Sequence, residues 1–410
     1  MIPITIFVSA LFLYVLLSER VAQTSITAPI IFTTVGMVTF PAWAHIARSG
    51  MTASIFLRVA EIGLVLLLFT DASRTDLKVL RTIRSIPSRL LSIGMILTIL
   101  LGAIAARLVL PQLSFWEAGI LGAILAPTDA GLGQVIVSSQ RVPMRIREAL
   151  SVEAGLNDGL SVPFLLFFMA LAASKVEGPA ASLVQFIGEQ LGLGLIIGIT
   201  VGMIGGWLLH TAEHRGWIAE SFHQLGVVTL PLFCLLLSEM VDASMFIAAF
   251  VAGLTVQIPY REAGKHSFEF AEEWGQLFNL AVFLMFGVVA ALDWRQFTQA
   301  GWIYAMLSLT LVRMVPVAIS LFGAGLSKGT VLFIGWFGPR GLASIVLGMV
   351  YLEQELHLPG EPTIRTAVMI TVLLSIFAHG LSTMPGIEIY ATKMAALDSN
   401  SPERQTARDD

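Results

Sequence analysis

Apolar runs of about twenty residues follow one another along almost the whole chain, divided only by short polar loops. A helix needs about 20 apolar residues to cross a hydrocarbon core roughly 30 Å thick. In lipid every backbone polar group must be satisfied within the fold, so runs of this kind become spanning helices. About thirteen spans fit, near 2–18, 28–47, 54–72, 88–110, 115–139, 148–173, 181–210, 222–241, 243–258, 269–291, 300–323, 329–351 and 365–386. Only Asp242 divides the eighth from the ninth, so twelve is the alternative. Composition agrees: 56% of the 410 residues are apolar and 13% charged, about half the charged share of a soluble domain. The mean hydropathy is +0.82. The expected fold class is an all-α polytopic membrane protein, with one transmembrane domain over 1–390 and a short polar tail over 391–410.

Charge and cysteine content remove several function classes. A net charge of −4 offers nothing to a nucleic acid. A single cysteine, Cys234, excludes an intramolecular disulfide and a cysteine metal cluster. The N-terminal apolar run has no basic residues before it and reads as a retained first span. Most of the 24 Lys and Arg fall in loops on one side, among them Arg74, Lys78, Arg81, Arg84, Arg141, Arg145, Arg147, Arg261 and Lys265. By the positive-inside rule that side is cytoplasmic, which puts the N-terminus outside and the C-terminus inside a cell (inner) membrane.

Charges inside the spans carry the functional signal. A charged residue at mid-membrane costs roughly 2.5–3.5 kcal/mol on insertion scales and is a functional candidate by default. Glu153 and Asp158 lie in "SVEAGLNDGLSVPF", Arg313 lies deep in span eleven, and Arg340 lies in span twelve. Buried charges persist when paired or when they line a wet cavity.

Two spans are interrupted by the same kind of sequence, "APTDAGLG" at 126–133 and "FGPRGLAS" at 337–344. Each mixes Pro, Gly and small residues with one charge, Asp129 in the first and Arg340 in the second. Unwound backbone at membrane depth is tolerated only against protein or water. Seven spans separate the two, so they run in opposite directions, as in an inverted repeat that pairs spans four to six with eleven to thirteen. Where two such breaks cross, half-helix N-termini and C-termini face one another. An acid at one break and a base at the other compensate those poles.

Five elements in chain order resemble the monovalent cation:proton antiporters: "APTDAGL", "EAGLNDG", "FIAAFVAGL", the lone arginine of span eleven and "GPRGLAS". The Asn-Asp pair resembles the NhaP-like sodium/proton (CPA1-type) branch. The resemblance covers roughly residues 5–385. It implies an NhaA/NhaP-like fold with two crossed discontinuous helices, core spans near 88–173 and 300–386, and remaining spans that serve as scaffold and homodimer contacts. It implies Na⁺ bound at Asp158, with Asn157 in a supporting hydrogen bond and Thr128 and Asp129 in the crossing beside the site. It also implies a buried Glu153–Arg313 pair, for which Arg340 is the competing partner. One departure is Ala154, where the family often has a serine whose hydroxyl faces the ion.

The residues support the same chemistry on their own terms. At about 100° per residue Glu153 and Asn157 share a helix face, while Asp158 points about 140° away from Glu153. One acid can therefore sit in an ion pair while the other titrates. Exchange needs an acid whose protonated and cation-bound forms are close in free energy, and hard monovalent cations prefer oxygen ligands. One acid trading one proton for one cation moves no net charge, so electroneutral 1:1 exchange by alternating access is expected. Asp71 and Ser161 are accessory candidates, although an acid at a helix end also reads as interfacial. Glu61 is a weaker case of the same kind, and His379 reads as a core histidine. No cofactor is implied, and the partners are the bilayer, monovalent cations and protons. The alternatives are a K⁺/H⁺ antiporter of the same fold and, from another class, a cation channel or uniporter. No Ser–His, His-Glu-x-x-His or paired catalytic Asp pattern suggests an enzyme.

Overall fold

The computed structural model describes residues 2–22, 24–47, 51–74, 86–177, 181–219, 222–260, 265–354, 356–395 and Glu403. Lys78, Arg81 and Arg84, which weigh in the expected orientation, lie outside the described residues, as does most of the tail. Every described element is helical. In chain order they are α1 (Ile2–Ala22), α2 (Ala28–Ala47), α3 (Met51–Arg74) and α4 (Ile86–Val109). The fifth span is two helices, α5 (Phe115–Ile124) and α6 (Ala130–Ser138), followed by α7 (Met144–Glu177). Next come α8 (Ala181–Thr200, continued after a π-turn by Gly206–His214), α9 (His223–Met240), α10 (Met245–Val256) and α11 (Lys265–Asp293). The chain ends with α12 (Gln299–Leu309), α13 (Leu311–Ser320), α14 (Lys328–Trp336), α15 (Leu342–Glu353) and α16 (Glu361–Ala395). Seven of the described segments are long and apolar enough to cross a membrane, and five shorter helices are equally apolar.

The interruptions fall where Pro and Gly break the apolar runs. α5 starts at a capping box, in which Glu117 N donates to Ser114 Oγ and Ser114 N donates to Glu117 Oε2. It ends at Leu125, two residues before Pro127, which has no N–H to continue the ladder. α14 starts on the Ser327 cap and ends at Phe337, two residues before Pro339. A further break was not legible: span eleven divides at Thr310, whose φ/ψ of −109°/−92° separates α12 from α13.

The packing sorts the helices by burial. α2, α3, α10 and α11 lie against one another, while α4, α5, α7, α12 and α16 enclose the crossing. The main core runs through both groups, with Phe32, Phe69, Ile120, Phe283, Tyr304 and Val346 all fully or nearly fully buried. Large apolar side chains also cover the outside, including Leu108, Ile196, Met240 and Phe322. A soluble protein rarely carries so much exposed apolar surface, and here it is the face presented to lipid. α16 continues through residue 395, and Glu403 is buried at the start of α14, where its Oε1 accepts from Ser327 N at 2.7 Å and from Thr330 Oγ1 at 2.9 Å.

Candidate functional site: a carboxylate beside two crossed half-helices

Asp129 holds the crossing together. It is the N-cap of α6, its Oδ1 accepting from Leu132 N at 2.9 Å. α15 starts at Gly341, which has no side chain to cap with, and Asp129 Oδ2 accepts from Leu342 N at 2.6 Å instead. One carboxylate thus caps the positive ends of two half-helices. Asp129 N also donates to Pro339 O at 2.8 Å. Only glycine fits at 341, because a Cβ there would collide with Asp129 Oδ2. At the negative end of α5, Arg340 Nη1 donates to Ala126 O at 3.0 Å and Pro127 O at 3.1 Å. Arg340 N donates to Ser375 Oγ at 2.6 Å, and that hydroxyl contacts His379 Nδ1 at 3.0 Å. His379 is buried among these groups on α16, away from the cavity described below.

Glu153 and Arg313 meet between α7 and α13. Arg313 Nη1 lies 2.6 Å from Glu153 Oε1, and Nη2 lies 2.9 Å from Oε2, a two-pronged pair buried on both sides. Arg340 is committed to carbonyls and is not Glu153's hydrogen-bond partner. Asn157 Nδ2 donates to Thr128 Oγ1 at 2.7 Å, tying α7 to the interrupted span.

Asp158 is different. Its Oδ1 accepts no hydrogen bond, and its side chain lines a cavity of about 700 Å³. Asp71, Thr128, Asp129, Glu153 and Ala154 line the same cavity, which widens towards exposed Ser138, Met144 and Ser151. Gly155 lets Asp71 approach: a Cβ built on it would lie 3.1 Å from Asp71 Cβ. Ala154 puts a methyl on the cavity wall. The accessory candidate Ser161 does not line the cavity. Its hydroxyl donates to Asp158 O, one turn back in its own helix, at 2.7 Å, and it is buried. In a helix that back-bond satisfies the donor of a buried hydroxyl locally.

Sequence reasoning missed one wall of the cavity. Glu272, Gln276 and Asn279 of α11 face it, four and three residues apart. The signal was present in "EEWGQLFNL", where polar residues recur at helical spacing in an apolar span.

Two crossed half-helices bridged by an acid and a base, beside a carboxylate with a hydrogen-bond-free oxygen on a cavity wall, define a class of membrane protein that handles ions at broken helices. Residues 7–388 match the family described as "Sodium/hydrogen exchanger, transmembrane", and the chain belongs to that family. It is 28% identical over 342 residues to Na(+)/H(+) antiporter 2 of Zygosaccharomyces rouxii, covering 78% of this chain and 42% of that protein. It is 25% identical over 331 residues to the K(+)/H(+) antiporter NhaP2 of Shewanella sp. (strain ANA-3), covering 79% of this chain and 56% of that one. The chain therefore spans about half the length of these curated relatives, or less. The solved structure of the sodium proton antiporter MjNhaP1 from Methanocaldococcus jannaschii superposes with a TM-score of 0.76 at 20% identity, covering 93% of this chain and 99% of that one. The fold is thus the antiporter fold.

Proposed function

We propose that this protein exchanges a monovalent cation, Na⁺ or Li⁺, for a proton across the cell membrane by alternating access, the two competing for Asp158. One observation carries the reading. Asp129 caps two helices, Glu153 holds Arg313 and Arg340 holds two carbonyls, while Asp158 offers the cavity an oxygen with no hydrogen bond. A proton or a cation is the natural occupant of such a group. Thr128, Asp129 and Asn157 position it, and Asp71 is the accessory acid on the cavity wall. Glu153 stays in its pair with Arg313, so one proton is traded for one cation at Asp158.

Within this reading the helices around 88–173 and 300–386 form the moving core. The remaining helices form a scaffold and, in a homodimer, the contact between copies. The N-terminus lies outside and the C-terminus in the cytoplasm, so the cavity opens inward, and the exchange serves sodium export and pH homeostasis. The methyl of Ala154 favours one second reading, K⁺/H⁺ exchange, because a wall with one oxygen fewer compensates a small ion's dehydration less well.

The test is exchange in proteoliposomes with an internal pH dye, comparing Na⁺, Li⁺ and K⁺. Na⁺ and Li⁺ are expected to move protons, with K⁺ weaker. Clamping the voltage with valinomycin and potassium should leave Na⁺-driven exchange unchanged. Cation flux without proton movement would indicate a channel or uniporter and overturn the proposal. Net charge displacement per cycle would overturn the 1:1 coupling.

A further inference from the structure

The α11 wall of the cavity needs an explanation that packing does not provide. Glu272, Gln276 and Asn279 share one helix face, and Glu272 Oε1 accepts from Gln276 Nε2 at 3.2 Å. Asn279 is the most enclosed of the three, at 9% exposed, and its Oδ1 accepts no hydrogen bond. An orphaned amide oxygen is unfavourable in a buried site, where a leucine of similar size would leave nothing unpaired.

The amide also reaches the crossing. A Cβ built on Gly131, in the first turn of α6, would lie 3.3 Å from Asn279 Nδ2 and 3.1 Å from Asp129 Oδ1. Asn279 and Asp129 thus meet on either side of a bare stretch of backbone. A half-turn about the last side-chain bond exchanges the amide's oxygen and nitrogen, so the same side chain can present its carbonyl there.

We propose that Asn279 supplies a neutral oxygen ligand to the cation on its way to Asp158, and so sets the affinity for the ion on the side to which this cavity opens. The inference rests on the reading of Asp158 as the carrier. A carbonyl oxygen replaces one hydration water without adding charge, so it tunes cation binding and leaves the 1:1 coupling alone. Its place on α11 makes the effect one-sided. α11 packs on α2 and α3, whereas Asp158 sits on α7. Movement of the crossing away from α11, as the site turns to the other face, withdraws the ligand. A ligand shifts an equilibrium only through such differential contacts.

The experiment measures Na⁺-driven proton movement in proteoliposomes with Na⁺ added to one face at a time, for wild type, Asn279→Leu, Asn279→Ser and Asp158→Asn. Asn279→Leu is expected to raise KM for Na⁺ about tenfold, the equivalent of one lost ligand contact, on the cavity side only. Its maximal rate should stay within about twofold, as expected when the loss is in uniform binding. Asn279→Ser, which restores an oxygen, should recover part of the affinity. Equal KM changes on both faces, a lower maximal rate at unchanged KM, or wild-type behaviour in both variants would overturn the proposal. If Asn279→Leu fails to fold, the serine variant decides: a KM raised a few-fold on the cavity side alone supports the oxygen role, and wild-type KM on both faces or a symmetric loss refutes it. Exchange that survives Asp158→Asn would instead remove the carrier reading. A dead Asp158→Asn beside a wild-type Asn279→Leu would remove this inference alone.

Discussion

Glu153 and Asp158 lie five residues apart on one helix and line one cavity, yet they are chemically opposite. Glu153 has both oxygens on the guanidinium of Arg313, whereas Asp158 has an oxygen with no partner at all. About 140° of helix rotation directs one towards the guanidinium of Arg313 and leaves the other facing the cavity. What separates the structural charge from the proposed carrier is therefore the presence of a competing partner.

The sharpest way to break that comparison is to remove each acid in turn. Asp158→Asn should abolish cation-driven proton movement in proteoliposomes while the purified protein keeps its elution profile and melting temperature, because an amide cannot release a proton. Exchange near the wild-type rate would show that Asp158 is not the carrier.

The paired acid should fail in the other way, by stability. Removing one member of a buried pair strands its partner at a cost of roughly 3–5 kcal/mol, whereas removing both can be nearly neutral. Glu153→Gln and Arg313→Ala should each lower the melting temperature sharply, and the double variant should regain much of the loss. Additive losses would contradict the pairing.

Gly341→Ala probes the shared surroundings of the two acids. Its Cβ collides with Asp129 Oδ2, so the Asp129–Leu342 bond must lengthen or break. We expect a loss of about 1–2 kcal/mol, typical of a lost helix cap, together with slower exchange. Unchanged melting and exchange would mean that the double cap is dispensable.

The smallest effect should come from Ala154→Ser. It adds a hydroxyl to the wall near Asp158 and should lower KM for Na⁺ a few-fold, roughly what a hydrogen-bond-sized contact of about 1 kcal/mol delivers. Measured Na⁺ and K⁺ dependence of this variant would also show whether the missing oxygen decides between the two ions.

Much of this site was legible in the sequence because its signals are local. Pro and Gly inside an apolar run mark a broken span, and a lone arginine in lipid needs an acid. The Glu-x-x-x-Asn-Asp spacing, in turn, assigns faces on one helix. What was not legible depends on contacts between distant segments. That Asp129 caps α15 as well as α6 follows from a backbone approach of 213 positions, which no periodicity reports. Asn279 left a local trace in the polar spacing of "EEWGQLFNL", but its place beside Asp129 comes from the packing of another helix. Ser161 shows an ambiguity of spacing. Its distance from Asp158 in the chain suits a second ligand and equally a bond to the carbonyl one turn back, and the hydroxyl makes that bond.

The double cap on Asp129 also has a consequence for how the protein is made. Its second partner, Leu342, is synthesised 213 residues later, roughly ten to forty seconds at ordinary translation rates. Through that interval one Asp129 oxygen and the guanidinium-binding carbonyls of Ala126 and Pro127 in the fifth span still wait for partners, and Glu153 in the sixth waits until Arg313 is made. A chain truncated before span eleven would leave these groups open to lipid, water or any passing cation. The candidate site is therefore complete only after the twelfth span has been made.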